Sequence, residues 1–201
     1  VTTLSDADSP VLDSHRINRV LIVTQVVFFS TVALCIVINH GEMAENDGIS
    51  FYGVYHATIA LLAVGYGVAT IGLWRIATFF KHHGVGSFIV IALRLVGIGL
   101  IALLLTPYNK GAIFNWCHMA VGVIGALLQL EIALQFLRRG PSSRGFAALS
   151  VQLVGGIICA ASLPDWNFAY LLPGEIIFQI GFAGALFIAL SAFADTDGAE
   201  A

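Results

Sequence analysis

The chain has 201 residues, of which 58% are hydrophobic and only 10% charged, and its formal net charge is −3. Soluble domains carry about 25% charged residues, so this deficit, with apolar runs of roughly 20 residues, excludes an ordinary soluble domain. It sets the fold class as an all-α integral membrane protein, in line with a mean hydropathy of +0.91. No basic block is present, which removes nucleic acid as a partner.

The polar stretch from Val1 to Asn18 is acidic before it is basic. It lacks the basic start and small-residue cleavage site of a signal peptide, so residues 1–18 read as a retained cytoplasmic tail. A first residue of Val fits a GTG start codon and sets the expectation of a bacterial gene. Six spans follow: Val20–Ile38, Tyr52–Phe79, Ser87–Thr106, Ile113–Leu137, Phe146–Leu163 and Leu171–Phe193. Each is long enough to cross a bilayer of about 30 Å at about 1.5 Å per residue. Residues 19–194 therefore form one six-transmembrane-helix bundle, closed by a short acidic tail at 195–201.

Orientation follows from the basic residues of the short loops. Arg16 and Arg19 precede the first span, Arg75 and Lys81 are placed between the second and third, and Arg138, Arg139 and Arg144 between the fourth and fifth. The alternate loops hold Lys110 and the acidic Glu42, Glu45, Asp47 and Asp165. Both termini are thus predicted to be cytoplasmic, in a bacterial cytoplasmic membrane. Trp74, Trp116, Trp166, Tyr52 and Tyr170 fall near predicted span ends, as aromatic belts do.

Arg94 lies inside the third span, where a guanidinium needs a partner, a polar cavity or a route to the interface. Glu131, on the fourth span, is the carboxylate at matching depth, so an intramembrane Arg94–Glu131 pair is expected. It reads first as a clamp between two helices, and second as part of a proton or ion path. Gln25, Gln129 and Gln152 lie near the same level on three spans, which points to an interhelical polar network. Gln129 and Glu131 differ by about 200° around the helix, so Glu131 with Gln135 forms one stripe and Gln129 another.

A second cluster falls in the outer half: His56, His118 and Glu175, with Asn115, Tyr55, Tyr108 and Asp165 able to join them. His118, Gly122, Gly125 and Gln129 share one helix face, and His56, Ala60, Ala63, Gly67 and Thr70 another. Small residues on a face let helices approach or leave space for a ligand, so both histidines are expected to look inwards. The favoured reading is interfacial polar residues that bond loop backbone or line a ligand pocket. Acid–base chemistry on a lipid-linked substrate by His and Glu is a second reading. A third makes His56 and His118 ligands of a haem b or of a metal. Neither a metal nor a cofactor is otherwise predicted, and Cys35, Cys117 and Cys159 have no metal-ligand spacing and read as small hydrophobes. Gly181–Ala185 and Gly155–Gly156 read as helix-packing surfaces.

Several segments carry a family resemblance. A short polar loop, Asn46–Asp47–Gly48–Ile49–Ser50, leads into the second span, and the third ends in the turn Leu105–Thr106–Pro107–Tyr108–Asn109. His118 opens the fourth span, and Pro173–Gly174–Glu175 the sixth. In these the chain resembles a bacterial six-helix group known as domain of unknown function 998, and more distantly the DRAM/Frag/Sfk-like membrane proteins. Tyr108–Asn109–Lys110 stands where that pattern has an acidic residue. The resemblance implies fold and topology but no reaction. Ascorbate-dependent cytochromes b also have six helices, but need paired histidines on four central ones; spans three and five have none.

These features predict a non-catalytic polytopic protein. It would bind a lipid or small hydrophobic ligand in an outward-facing interhelical pocket, or serve as an accessory subunit of a larger membrane complex. The alternative is a small membrane enzyme or haem or metal protein using His56, His118 and Glu175. A proton-coupled carrier using Arg94 and Glu131 comes third, since broken helices and inverted repeats are not seen.

Overall fold

A computed structural model describes residues 14–40, 48–162 and 169–197, with side chains for 15–40, 48–162 and 169–193. Its helices are α1 (Ser14–Ile38), α2 (Ile59–His82), α3 (Ser87–Leu105), α4 (Ala112–Arg139), α5 (Ser143–Ala161) and α6 (Leu171–Asp197). Short 3-10 helices stand at Ile49–Gly53 and Tyr108–Lys110. All six α-helices are long and apolar enough to cross a membrane. Large apolar side chains cover much of their outer surface, Val37, Ile71, Ile113 and Ile157 among them. In water this surface would be unfavourable by about 25 cal/mol per Å², and hydrocarbon removes that cost.

Some boundaries depart from the sequence reading. The second span begins at Ile59 and not at Tyr52, because the apolar run of the sequence joins two elements. Ile49, Phe51 and Tyr52 of the 3-10 helix are buried, and Thr58 ties the turn down by donating its hydroxyl to the Tyr52 carbonyl at 2.7 Å. Helix α2 also runs to His82, so Arg75 and Trp74 lie two turns inside it and not in the loop or at the end. Finally, α1 starts within the expected tail 1–18, and α6 carries Asp195–Asp197 of the expected acidic tail as helix. The remaining tail residues, Glu42, Glu45, Asp47, Asp165 and Trp166 lie outside the described residues.

The helices run alternately up and down. Arg16, Arg19, Lys81, Arg138, Arg139 and Arg144 therefore collect at one end of the bundle, here called the basic end. Two apolar cores fill it. The one at the basic end joins α1, α2, α3, α4 and α6 through residues such as Leu21, Phe80, Leu93, Ile132 and Leu186. The one at the opposite end is built from α1, α2, the first 3-10 helix and Leu172 of α6, with flanking residues of α3; it takes no buried residue from α4 or α5.

Glycines set the closest approaches. Gly65 and Gly72 of α2 face Thr31 and Thr24 of α1, whose hydroxyls donate back to Phe28 and Leu21 of their own helix. On α5, Gly155 lies against the α6 backbone: a Cβ there would meet the Phe178 amide nitrogen, and sit 2.7 Å from the Gly174 carbonyl oxygen. Gly181 of α6 lies in the same way against the backbone of Gln152. Such small-residue contacts replace the hydrophobic driving force that helices lack in lipid. Replacing Gly155 or Gly181 with Ala should lower stability by about 1–3 kcal/mol, because backbone and not a pliable side chain occupies the space. Thermal unfolding of the detergent-solubilised variants checks this; Gly67→Ala, where a Cβ meets nothing within 4 Å, should leave the midpoint unchanged.

Candidate functional site

The outer cluster expected from the sequence resolves into separate structural ties. Glu175 opens α6 and accepts the backbone N–H of Ile49 at 2.5 Å. Gly48, at φ 74°, lies over the same carboxylate, where an added Cβ would come 2.7 Å and 2.8 Å from its two oxygens. The Glu175 carboxylate thus fastens the start of the 3-10 helix to α6. His118 is 9% exposed, and its Nδ1 lies 2.8 Å from the Thr106 carbonyl. A carbonyl only accepts, so Nδ1 carries the proton, and the imidazole holds α4 to the end of α3. Tyr108 covers the ring at 5.7 Å between centroids.

His56 departs from expectation. It is exposed in the turn before α2, and Ala60 of its proposed face is exposed as well, so the histidine end of this face does not look inwards, while Thr70 at the other end donates to Gly97 of α3. Tyr55 and Asn115 are exposed too. The crevice beside His118 is bounded by Ser50, Gly53, Val54, Leu62, Tyr66, Leu103, Leu104 and Pro107, and it is too narrow for a water molecule. The haem or metal alternative rests on the two imidazoles alone. Among the described residues, no three of His, Cys, Asp and Glu gather at one point.

The expected Arg94–Glu131 pair is not formed. Glu131 lies 3.5 Å from Nη1 of Arg138, two turns further along the same face of α4, and accepts from Nε2 of Gln135 at 2.8 Å. Its carboxylate is satisfied along its own helix because Arg138 and Gln135 are nearer in register than α3 is. The Glu131–Gln135 stripe read from the sequence is therefore present, and Gln129 points elsewhere.

A different place has the character of a site. Ala133 of α4, Ala148 of α5 and Ala185 of α6 meet in a small cluster towards the basic end. One turn beyond this contact, away from the basic end, come Gln129 on α4, Gln152 on α5 and Gly181 on α6. Gln152 is 0% exposed and neither amide atom has a hydrogen-bond partner; Gln129 is 5% exposed and its Oε1 has none. Other side chains with such orphaned atoms are Asn18 and Asn39, at the two ends of α1, and Tyr52 in the 3-10 helix. The two glutamines are those in mid-helix.

Further along α4 on the face of Gln129, Gly125 and Gly122 look into open space, with nothing within 4 Å of a Cβ at either. The opposite-end core takes nothing from α4 or α5. Beyond the alanine contact α5 and α6 stay together through Gly155 and Gly174, and α4 alone leaves a cleft along its glycine face, next to two carboxamides that are themselves closed off from it. The sequence placed these glutamines at one level and drew the His118–Gly122–Gly125–Gln129 face. It gave no sign that the amides lack partners, because that depends on how far α4 stands from α5.

Compared with family models, with curated proteins and with solved structures, the chain shows no match in any of the three.

Removing the His118 tie by His118→Ala should lower the unfolding midpoint, at a cost of about 1–3 kcal/mol for the carbonyl left bare. Glu175→Gln should act locally instead. It exchanges the carboxyl that accepts the Ile49 N–H for a carboxamide with one acceptor oxygen fewer, and hydrogen exchange of the Ile49 amide should quicken while α2 and α3 amides keep their protection.

Proposed function

We propose that the chain is a non-catalytic multi-pass membrane protein that holds a small hydrophobic molecule or lipid chain in the cleft between α4 and the α5–α6 pair. In this reading it lies in a bacterial cytoplasmic membrane with both termini inside, as the basic residues at one end favour. Kinship with the domain of unknown function 998 group belongs to the same proposal and rests on the segments quoted above.

The carrying observation is the pair of buried, unpartnered carboxamides one turn from a glycine face of α4 that borders open space. Each orphaned amide group costs about 1–3 kcal/mol, and mid-span helix geometry gives it no water to turn to. A ligand with a neutral hydroxyl, carbonyl or amide head would satisfy both the donor and the acceptors, while its apolar body fills the space beside Gly122 and Gly125. A helix of a partner subunit is the other occupant, which is the accessory-subunit reading. The enzyme and haem readings keep His56, His118 and Glu175 as their residues; Glu175 and His118 already serve as ties. The carrier reading loses the ion pair on which it was built.

Two opposed effects test the proposal. Gln152→Met should raise the thermal stability of delipidated protein, since it removes two orphaned groups from a buried site. The same change, or Gly125→Leu, should reduce the neutral lipid or hydrophobic metabolite that copurifies, as read by native mass spectrometry and extraction. Wild-type protein that runs free of any small molecule, with Gln152→Met no more stable, would sink the reading.

A further inference from the structure

Two arginines stand apart from the basic end. Arg75 lies seven residues before His82 at the end of α2, and Arg94 seven residues after Ser87 at the start of α3. At about 1.5 Å per residue both are about 10 Å along their helices from the turn that joins them. They occupy one depth on neighbouring helices.

Among the described residues neither guanidinium makes an ion pair, and Glu131 is occupied by Arg138. Trp74 sits between them. Its indole N–H donates to the Arg94 carbonyl at 3.3 Å, and its ring covers Gly97, where an added Cβ would come 3.0 Å from Nε1. Arg75 lines an open groove of about 410 Å³ with Thr70, Ile71, Trp74 and Thr78. The two threonine hydroxyls donate to the carbonyls of Gly97 and Trp74, so the Arg75 guanidinium is the remaining side-chain donor among the groove's lining residues. Arg94 is half-buried on the flank of α3 beside Gly97, and Ile91 and Ile98 continue the apolar wall next to it.

We infer that this face of α2 and α3 binds an anionic phospholipid of the leaflet at the basic end, its phosphate between Arg75 and Arg94 and an acyl chain along Ile71 and Ile98. Charge complementarity selects the occupant. Two cations about 10 Å inside a span reach a phosphate by extending towards the helix ends, and a phosphate accepts guanidinium donors in pairs. The apolar wall selects a lipid over a soluble anion, and the net positive charge selects an anionic over a zwitterionic head.

The full chain, reconstituted in equimolar phosphatidylglycerol and phosphatidylcholine and released into the mass spectrometer, reads this directly. Wild type should retain phosphatidylglycerol in about tenfold preference. Arg75→Gln with Arg94→Gln should bring the preference near parity, and Arg144→Gln, at the basic end but outside the groove, should leave it unchanged. Brominated phosphatidylglycerol gives a second readout on the unmutated site: it should quench Trp74, seen as the difference between wild type and Trp74→Phe. Parity in wild type, equal loss in Arg144→Gln, displacement of the lipid by inorganic phosphate, or no quenching assigned to Trp74 would each overturn the inference. This holds even if the double variant does not fold, because the quenching arm needs neither arginine changed.

Discussion

Direct backbone contact between α5 and α6 is the constraint on which the rest of the bundle turns. With Gly155 under Phe178 and Gly181 under Gln152, the two helices approach as closely as their main chains allow. That closeness needs glycine, because a side chain at either place would meet backbone, which cannot rotate away. It also has a consequence for the neighbours. Helix α5 buries its narrow small-residue face on α6 and leaves the rest of its circumference outside, with Val151, Leu153, Val154 and Ile157 exposed. The α4 helix is held at two places, by Ile132 and its neighbours in the basic-end core and by the His118–Thr106 bond at the other end. Between those anchors its glycines look into unfilled space.

The same division explains the role of the first 3-10 helix. At the end away from the basic residues, the six buried residues of α1 and α2 would leave a core open on the side where α4 and α5 stand back. Ile49, Phe51 and Tyr52 fill it from the loop, and are fixed from below by Glu175 and from behind by Thr58. A carboxylate at the start of a span is costly without donors. Here it receives a backbone N–H that the 3-10 helix would otherwise leave unsatisfied, so two polar deficits cancel at one bond.

Much of this was legible in the residues, and the failures have particular causes. Five spans were placed to within a few residues by their apolar runs, because hydrophobicity in this class acts over whole helices. The second was misplaced because the loop that fills a core is as apolar as a span, and composition does not tell a 3-10 helix from the helix after it. Depth was also read correctly: Gln129 and Gln152 do lie at one level, and the Glu131–Gln135 stripe is real. Partnership was not. Pairing Arg94 with Glu131 assumed that a charge seeks its match across helices, whereas Arg138 reaches the same carboxylate along α4. Likewise, His56 and His118 share an end of the bundle, but only His118 is packed inside. Sequence gives the height of a polar group well. Azimuth and the distance between helices decide whether it finds a partner, and those follow from glycine contacts elsewhere.

Two kinds of unmatched polar group remain, and their chemistry ranks them. Arg75 and Arg94 carry full charges, yet their long side chains can turn towards the helix ends, so a bilayer interface or a lipid head satisfies them without any change in the fold. The carboxamides of Gln129 and Gln152 have only three side-chain bonds of reach, and both sit too far from either end to find water that way. A neutral amide costs less to bury than a charge, but here it has no route of escape. The bundle tolerates this at a cost of several kcal/mol in sum, which is a large share of the 5–15 kcal/mol that separates folded from unfolded domains. A packing variant with leucine or methionine at these positions would fold with less opposition. A polar group brought to these amides, from a ligand or a neighbouring helix, would return that cost, whereas nothing within the described bundle does so.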